Sequence, residues 1–260
     1  MNPILSVRGL NKHYLSGFSG FKRQYLHALK DVSFDLSAGE TLAIVGETSS
    51  GKSTLARILA GADAKTSGEI FFEEQPLESY PARDRCSMIR MIFQNANSSL
   101  NPNLRIGQLL EEPLLFSSEL PEETRLQMVY ESLNHVGLLP EHAQFYPHMI
   151  SSGQRQRVCV ARAIMLRPKI IIADGALSTL DVLVRAQIIQ LLRDLKRVLN
   201  ISFILVSHDL HIIRHISDRI AILAQGEIIE IAPSEELFKN PQQDYTKTLL
   251  KEQSTLFKKQ

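Results

Sequence analysis

Four stretches of the chain are apolar at nearly every position, and they read as strands buried on both faces. They are Thr41-Leu42-Ala43-Ile44-Val45, Met91-Ile92-Phe93, Ile170-Ile171-Ile172-Ala173 closed by Asp174, and Ile201-Ser202-Phe203-Ile204-Leu205-Val206. A second pattern alternates. Between Ala28 and Leu36, Val32, Phe34 and Leu36 share one face and Asp31, Ser33 and Asp35 the other, which predicts a half-buried strand. Ile4-Leu5-Ser6-Val7 predicts another, followed by a turn at Gly9 and a short piece ending at Tyr14. Residues 16–25 keep no period and are expected to form an exposed loop. Thr66-Ser67-Gly68-Glu69 turns into a strand at Ile70-Phe71-Phe72. Arg219–Leu223 and Glu227–Ile231 flank Gln225-Gly226 as a hairpin.

Helical spacing fills the gaps. Leu55–Ala60 starts a helix that stops at Gly61, and residues 82–90 form a short polar one. Residues 105 to about 168 are helical in character. Pro121 with Glu122 and Glu123 marks a helix start, Leu126, Val129, Leu133 and Val136 mark its apolar face, and Gly137 ends it. Residues 182–199 carry a stripe of Val184, Ile188, Leu191, Leu192, Leu195, Val198 and Leu199. From about 233 the chain is a tail of short helices.

The chemistry sits between the first buried strand and the first helix. Gly46-Glu47-Thr48-Ser49-Ser50-Gly51-Lys52-Ser53-Thr54 fits the phosphate-loop pattern G-x-x-x-x-G-K-[ST] at every fixed position. A glycine- and serine-rich surface turn has a similar composition. The strand before this stretch and the helix after it are what the phosphate-binding reading requires. Loop and helix N–H groups cradle phosphate oxygens, helped by the helix dipole. Lys52 reaches the β- and γ-phosphates and the Ser53 hydroxyl ligates Mg²⁺. The expected fold is therefore α/β, a phosphate-loop (RecA-like) core of about residues 4–95 and 168–232. It carries an N-terminal antiparallel β layer and an inserted helical subdomain of about residues 96–167, with a tail over 233–260.

Composition narrows the partners. A chain of 260 residues buries roughly 75% of its unfolded surface and needs no staples. Lys and Arg number 29 against 28 Asp and Glu, which leaves no electrostatic footprint for nucleic acid. Cys86 and Cys159 are the only cysteines, so neither a disulfide framework nor a cysteine metal site is expected, and a reducing compartment is. No apolar run approaches a membrane span, and Met1–Arg8 lacks the features of a signal peptide. Membrane association is expected to come through a partner.

Ser151-Ser152-Gly153-Gln154-Arg155-Gln156-Arg157 resembles the signature of ABC-transporter ATPases, usually L-S-G-G-Q, with Ile150 and Ser152 in place of the first leucine and first glycine. Other family motifs follow in order. Gln94 resembles the Q-loop glutamine, Ile170–Asp174 the Walker B strand, Leu177-Ser178-Thr179-Leu180-Asp181 the D-loop and His208 the switch histidine. Tyr14 stands where the family has an adenine-stacking aromatic. The likeness runs from about residue 4 to 250, as a single ABC ATPase domain. Ser99-Leu100-Asn101-Pro102, Tyr146-Pro147-His148 and Asn240–Leu250 are similar to oligopeptide and dipeptide importer ATPases, the Sap type among them.

The resemblance implies ATP and Mg²⁺ as cofactors. It implies catalytic roles for Gln94, Asp174 and His208, with Mg²⁺ held by Ser53, Gln94 and Asp174. Tyr14 and Gly46–Thr54 (that is, Gly46, Glu47, Thr48, Ser49, Ser50, Gly51, Lys52, Ser53 and Thr54) contact the nucleotide. Ser151, which can cap a helix, Ser152, Gly153, Gln154 and Asp181 contact the nucleotide of a second ATPase subunit. The further implied partners are two integral-membrane permeases and, indirectly, a periplasmic substrate-binding protein, at the cytoplasmic face of a bacterial inner membrane. One departure matters. Gly175 follows Asp174 where the family usually has a water-polarising glutamate. General-base contributions are of order 10²–10⁴ in rate, so this chain's own site is expected to bind ATP and hydrolyse it slowly, within a heterodimer. Ser152 puts a side chain where backbone is expected to approach phosphate. A regulatory ABC ATPase without a transporter is the alternative, while the signature argues against a phosphate-loop kinase.

Overall fold

The structure is a computed structural model that describes residues 2–19, 22–93, 99–176 and 180–257. In chain order the strands and α-helices are β1 (Leu5–Ser19), β2 (Lys22–Leu36), β3 (Thr41–Val45), α1 (Lys52–Leu59), β4 (Ser67–Phe72), β5 (Gln75–Pro76), α2 (Ala82–Met88), β6 (Ile89–Ile92), α3 (Ile106–Ser117), α4 (Glu122–His135), α5 (Ser152–Ile164), β7 (Ile170–Asp174), α6 (Val182–Leu199), β8 (Ser202–Ser207), α7 (Leu210–Ile216), β9 (Arg219–Ala224), β10 (Glu227–Pro233), α8 (Ser234–Lys239) and α9 (Asp244–Phe257). They gather into two compact units, residues 1–80 with 202–260, and residues 81–201.

The first unit holds two β layers. One is antiparallel, in the order β2-β1-β4-β5. The other runs β10-β9-β3-β8. Here β3 lies parallel to both β8 and β9, and β10 returns antiparallel to β9. All five residues of β3 are buried, as befits a strand with a neighbour on each edge and cover on both faces. Helix α1 buries Leu55, Ala56, Ile58 and Leu59. Each fully buried leucine or isoleucine contributes roughly 1.5–3 kcal/mol.

The expected loop over residues 16–25 is corrected. Strand β1 continues to Ser19 and β2 begins at Lys22, with Leu15 opposite Tyr25 and Gly17 opposite Gln24. Ladder hydrogen bonds need no hydrophobic period. Leu15, Tyr25 and Leu26 are all exposed, so no core imposes alternation there. The turn expected at Gly9 is a bulge inside β1, with Gly9 at φ 57° and a register shift between Val7 and Leu10.

The second unit pairs β6 parallel with β7 and also holds α2 to α6, of which α2 and α5 pack on β6. Helix α4 starts after Pro121 and buries Val129 and Leu133, while Leu126 is 38% exposed. Gly137 follows it in the left-handed region at φ 70°. In α6 the buried stripe is Ile188, Leu191, Leu192 and Leu195, and Val198 faces outward. The cut at residues 80/81 and 201/202 groups β6 and β7 with the helical block.

Candidate functional site

The phosphate loop spans the turn between β3 and α1. Glu47, Thr48 and Ser49 are exposed, whereas Gly46 and Ser50 are buried. Ser49 takes φ 67° and Gly51 φ 107°, so the loop turns through two left-handed residues. Gly51 stands at the N-cap of α1 and gives it no side-chain cap. A glycine at this position leaves the helix N-terminus open to the close approach of an anion, which the helix dipole favours. Lys52 Nζ folds back over this loop, donating to the Glu47 carbonyl and, at 3.1 Å, to Ser50 Oγ.

Backbone from three neighbouring segments encloses the loop. A Cβ on Gly46 would lie 2.0 Å from the Leu223 carbonyl oxygen of β9, and one on Gly51 would lie 2.4 Å from the Ala28 carbonyl oxygen of β2. The Gly226 N–H, in the β9–β10 turn, donates to the Ser50 carbonyl at 3.0 Å. Ala28 is placed by a bulge, because Lys12 pairs with Leu29 while His13 pairs with His27. The extra residue turns its carbonyl toward the loop.

Two further expected residues share this unit. Strand β8 runs beside β3 with Ser207 opposite Val45, so His208 leaves β8 at the level where Gly46 leaves β3. His208 is exposed, between that strand and α7, whose first turn Asp209 caps through Ile212 N–H at 3.3 Å. Tyr14 lies on β1 opposite Leu26, two residues along β2 from Ala28. Its hydroxyl donates to Asp63 Oδ2, and Lys12 Nζ sits 4.6 Å from its ring centroid.

The remaining expected residues lie in the second unit. Asp174 ends β7, just past Ala173, which pairs with Ile92 of β6. Gln94 follows β6 but lies outside the described residues, as do Leu177–Thr179 of the D-loop. Gly175 takes φ 61°, a left-handed conformation that disfavours any side chain. Ser151 is the N-cap of α5. Its hydroxyl accepts from Gln154 N–H at 3.2 Å, and the Gln154 side-chain oxygen Oε1 accepts from Ser151 N–H at 2.9 Å. The Gln154 amide also contacts His142 Nε2 at 3.3 Å. Ser152 is exposed in the first turn, and Gly153 has a second reason to be glycine: a Cβ there would come 3.1 Å from Val184 of α6. Asp181 caps α6 through Val184 N–H at 2.9 Å.

Several supports of the site are not legible as motifs. Lys12, Ala28, Asp63, Leu223 and Gly226 act through tertiary contacts, and only the spacing of Lys12 two residues before Tyr14 carries a local signal. Tyr245 of α9 is another. Burial pushes its phenol above the ordinary value, and Glu47 of the phosphate loop lies against it. Among the described residues no group of three or more His, Cys, Asp or Glu side chains is placed to hold a metal ion on its own. A divalent ion here fits instead as a partner of phosphate oxygens, with the Ser53 hydroxyl beside it in the first turn of α1. The glycine at the helix N-cap, the two sterically required glycines and the Ser53 hydroxyl in the first turn of α1 fit a nucleoside triphosphate with its Mg²⁺.

The sequence profile described as "ABC transporter" matches residues 29–178. The putrescine export system ATP-binding protein SapF of Escherichia coli K12 is 43% identical over 250 residues, which is 96% of this chain and 93% of that protein. The dipeptide transport ATP-binding protein DppF of Escherichia coli K12 is 42% identical over 252 residues, 95% of this chain and 75% of that protein. Among solved structures, the MJ0796 ATP-binding cassette, a dimer in a post-hydrolysis state bound to ADP and Pi, matches with a TM-score of 0.75 and 29% identity over 88% of this chain and 98% of its own. Phosphate loop, signature helix and these likenesses agree: the chain belongs to the ABC transporter family and has the α/β fold of its ATPase cassettes.

Proposed function

We propose that this chain is the ATP-binding, energy-coupling subunit of a bacterial peptide importer. It works as half of an ATPase dimer bound to two integral-membrane permeases at the cytoplasmic face of the inner membrane, with a periplasmic substrate-binding protein acting indirectly. The carrying observation is one chain with both halves of a composite site, a phosphate loop whose glycines admit no side chain before the helix at Lys52, and a capped signature helix at Ser151. Among the described residues no helix is long and apolar enough to cross a membrane, which supports recruitment by a partner.

The residues divide the work. Loop N–H groups and Lys52 neutralise phosphate charge where it develops, which is the main protein contribution to phosphoryl transfer. Ser53, Gln94 and Asp174 would hold Mg²⁺, which when bound screens the phosphate oxygens. Tyr14 supports the base. His208 contacts the γ-phosphate and orients water. Ser151 to Gln154 and Asp181 face the nucleotide of the second subunit. Gly175 brings no carboxylate, so this chain's own site turns over slowly and holds ATP as a clamp between subunits. Its left-handed backbone supports a position that uses glycine as such.

The test is ATP turnover by the chain assembled with its partner ATPase, wild type against Gly175→Glu. Left-handed strain opposes the substitution by roughly 1–2 kcal/mol. The general-base contribution is of order 10²–10⁴, so a rise of tenfold or more is expected. No rise would refute the asymmetric site. A second cargo reading, polyamine export, is favoured by the name of the relative from Escherichia coli K12. Labelled dipeptide uptake and putrescine efflux, compared in cells with and without the chain, separate the two.

A further inference from the structure

We propose that Lys12 and Asp63 are positioning residues for base binding: they hold the Tyr14 ring in one orientation and leave it one face for adenine. The proposal rests on the reading of Tyr14 as the platform for the base.

Lys12 and Tyr14 are two residues apart on β1, so their side chains leave the same face. The Lys12 side chain is only 11% exposed, an expensive place for an ammonium unless it is paired. It is paired fully. Lys12 Nζ donates to Asp63 Oδ1 at 2.7 Å and to the Ala64 carbonyl at 2.5 Å, and it lies 4.6 Å from the Tyr14 ring centroid. The second carboxylate oxygen of Asp63 accepts the Tyr14 hydroxyl. One carboxylate thus binds both the cation over the ring and the ring's far end. Lys12, with the Tyr14 hydroxyl, holds the Asp63 carboxyl below the usual carboxylate range, so Asp63 is ionised at neutral pH.

The bracket is anchored to the phosphate-loop helix. Ala62 and Asp63 N–H groups both donate to the Arg57 carbonyl at the end of α1, at 2.8 and 3.2 Å. Thr66 is tied to β1 twice, through the Asn11 carbonyl at 2.9 Å and His13 N–H at 3.0 Å. On the other strand, Leu26 opposite Tyr14 is two residues from Ala28, whose carbonyl abuts Gly51. At about 3.3 Å per residue the platform stands roughly 7 Å along the hairpin from the loop. Rotating the ring would break the hydroxyl bond and leave the ammonium without its aromatic face. The cation closes one face of the ring to a planar base, and the other face remains for stacking.

A brace that merely stiffened the hairpin would give the same contacts, so the test isolates the base. Affinities of the full chain for ATP and for inorganic tripolyphosphate are measured by calorimetry for wild type, Tyr14→Leu, Lys12→Met, Asp63→Asn and the two doubles with Tyr14→Leu. Tyr14→Leu should weaken ATP about tenfold and leave tripolyphosphate unchanged, since base–aromatic stacking carries that much. Lys12→Met and Asp63→Asn should each weaken ATP about three- to tenfold, leave tripolyphosphate unchanged, and add nothing on top of Tyr14→Leu. Equal losses for both ligands, or losses that persist in the Tyr14→Leu background, would overturn the proposal in favour of a simple brace. An unchanged ATP affinity in Tyr14→Leu would instead overturn the platform reading itself. Should a charge variant fail to fold, Tyr14→Phe keeps the ring and removes only the hydroxyl. A two- to fivefold loss confined to ATP supports the bracket, and no loss refutes the part played by Asp63.

Discussion

Gly46→Ala puts one methyl group against a carbonyl that cannot move alone. The added Cβ would lie 2.0 Å from the Leu223 oxygen and 2.9 Å from Ser50 Oγ, where ordinary contact begins at 3.4 Å. The two backbones must therefore separate by about 1.4 Å. Leu223 lies in β9, paired with Ile228 of β10 and one strand from β3, so the loop is the softer side. Moving it also strains the Ser50–Gly226 hydrogen bond of 3.0 Å. Overpacking of this kind costs about 1–3 kcal/mol in stability. A misplacement of about 1 Å in groups that position a reacting ligand costs on the order of a hundredfold. The natural control is Gly61→Ala. That glycine lies just past the other end of α1 and meets nothing within 4 Å, so only its φ of 72° opposes a side chain. Gly61→Ala should cost about 1–2 kcal/mol of stability and leave nucleotide binding alone. Calorimetric ATP binding and thermal unfolding, run side by side, read both quantities. The reasoning fails if Gly46→Ala binds ATP like wild type, or if Gly61→Ala loses binding in the same proportion as Gly46→Ala.

Three further outcomes follow from other contacts. Ser151→Ala removes the acceptor of Gln154 N–H from the signature helix and should lower stability by about 1 kcal/mol, read as a fall in unfolding temperature. Arg125→Met breaks a 2.7 Å ion pair with Glu111 and a 2.6 Å bond to the Leu120 carbonyl, both ends 82% covered, and should cost roughly 1.5–3 kcal/mol in denaturant unfolding. Glu230 accepts Gln242 and Gln243 N–H and the Thr246 hydroxyl, at 2.9, 3.1 and 2.5 Å. Burial pushes its carboxyl up, but those donors outweigh burial and hold it below the ordinary value. A depressed carboxylate stabilises the fold above its unfolded pKa of about 4.3, and that contribution is lost as pH falls through the lower folded value. Glu230→Gln should therefore flatten the acid limb of stability against pH and destabilise the docking of α9 at pH 7.

How far the chain was legible depends on the range of the forces involved. The buried strands β3, β7 and β8 and the helix caps at Pro121, Ser151 and Asp181 rest on local chemistry, and residues such as Ile44, Ile171 and Leu205 announce it. The pairing of Leu15 with Tyr25 and of Gly17 with Gln24 rests on backbone hydrogen bonds beside exposed Leu15, Tyr25 and Leu26, which leaves no hydrophobic trace. Motif spacing likewise pointed to Lys52, and the family resemblance to Tyr14, but neither gave a hint of what holds them. Ala28, Asp63, Leu223 and Gly226 are ordinary residues in sequence, and their roles exist only through contacts between distant segments.

Those same contacts explain why the C-terminal segment bears on the phosphate loop. The β9–β10 turn touches the loop through Gly226, and β10 carries Glu230, which receives the start of α9. Thr246, fully buried, completes that joint, and its neighbour Tyr245 reaches Glu47 in the loop itself. The loop is thus held from β2, from the hairpin and from the tail. Its glycines answer to Leu223 and Ala28 as much as to any phosphate. A loop so enclosed is pre-shaped before a ligand arrives, which lowers the ordering cost of binding. That is the property a subunit needs if, lacking a carboxylate at Gly175, its task is to hold ATP rather than to consume it.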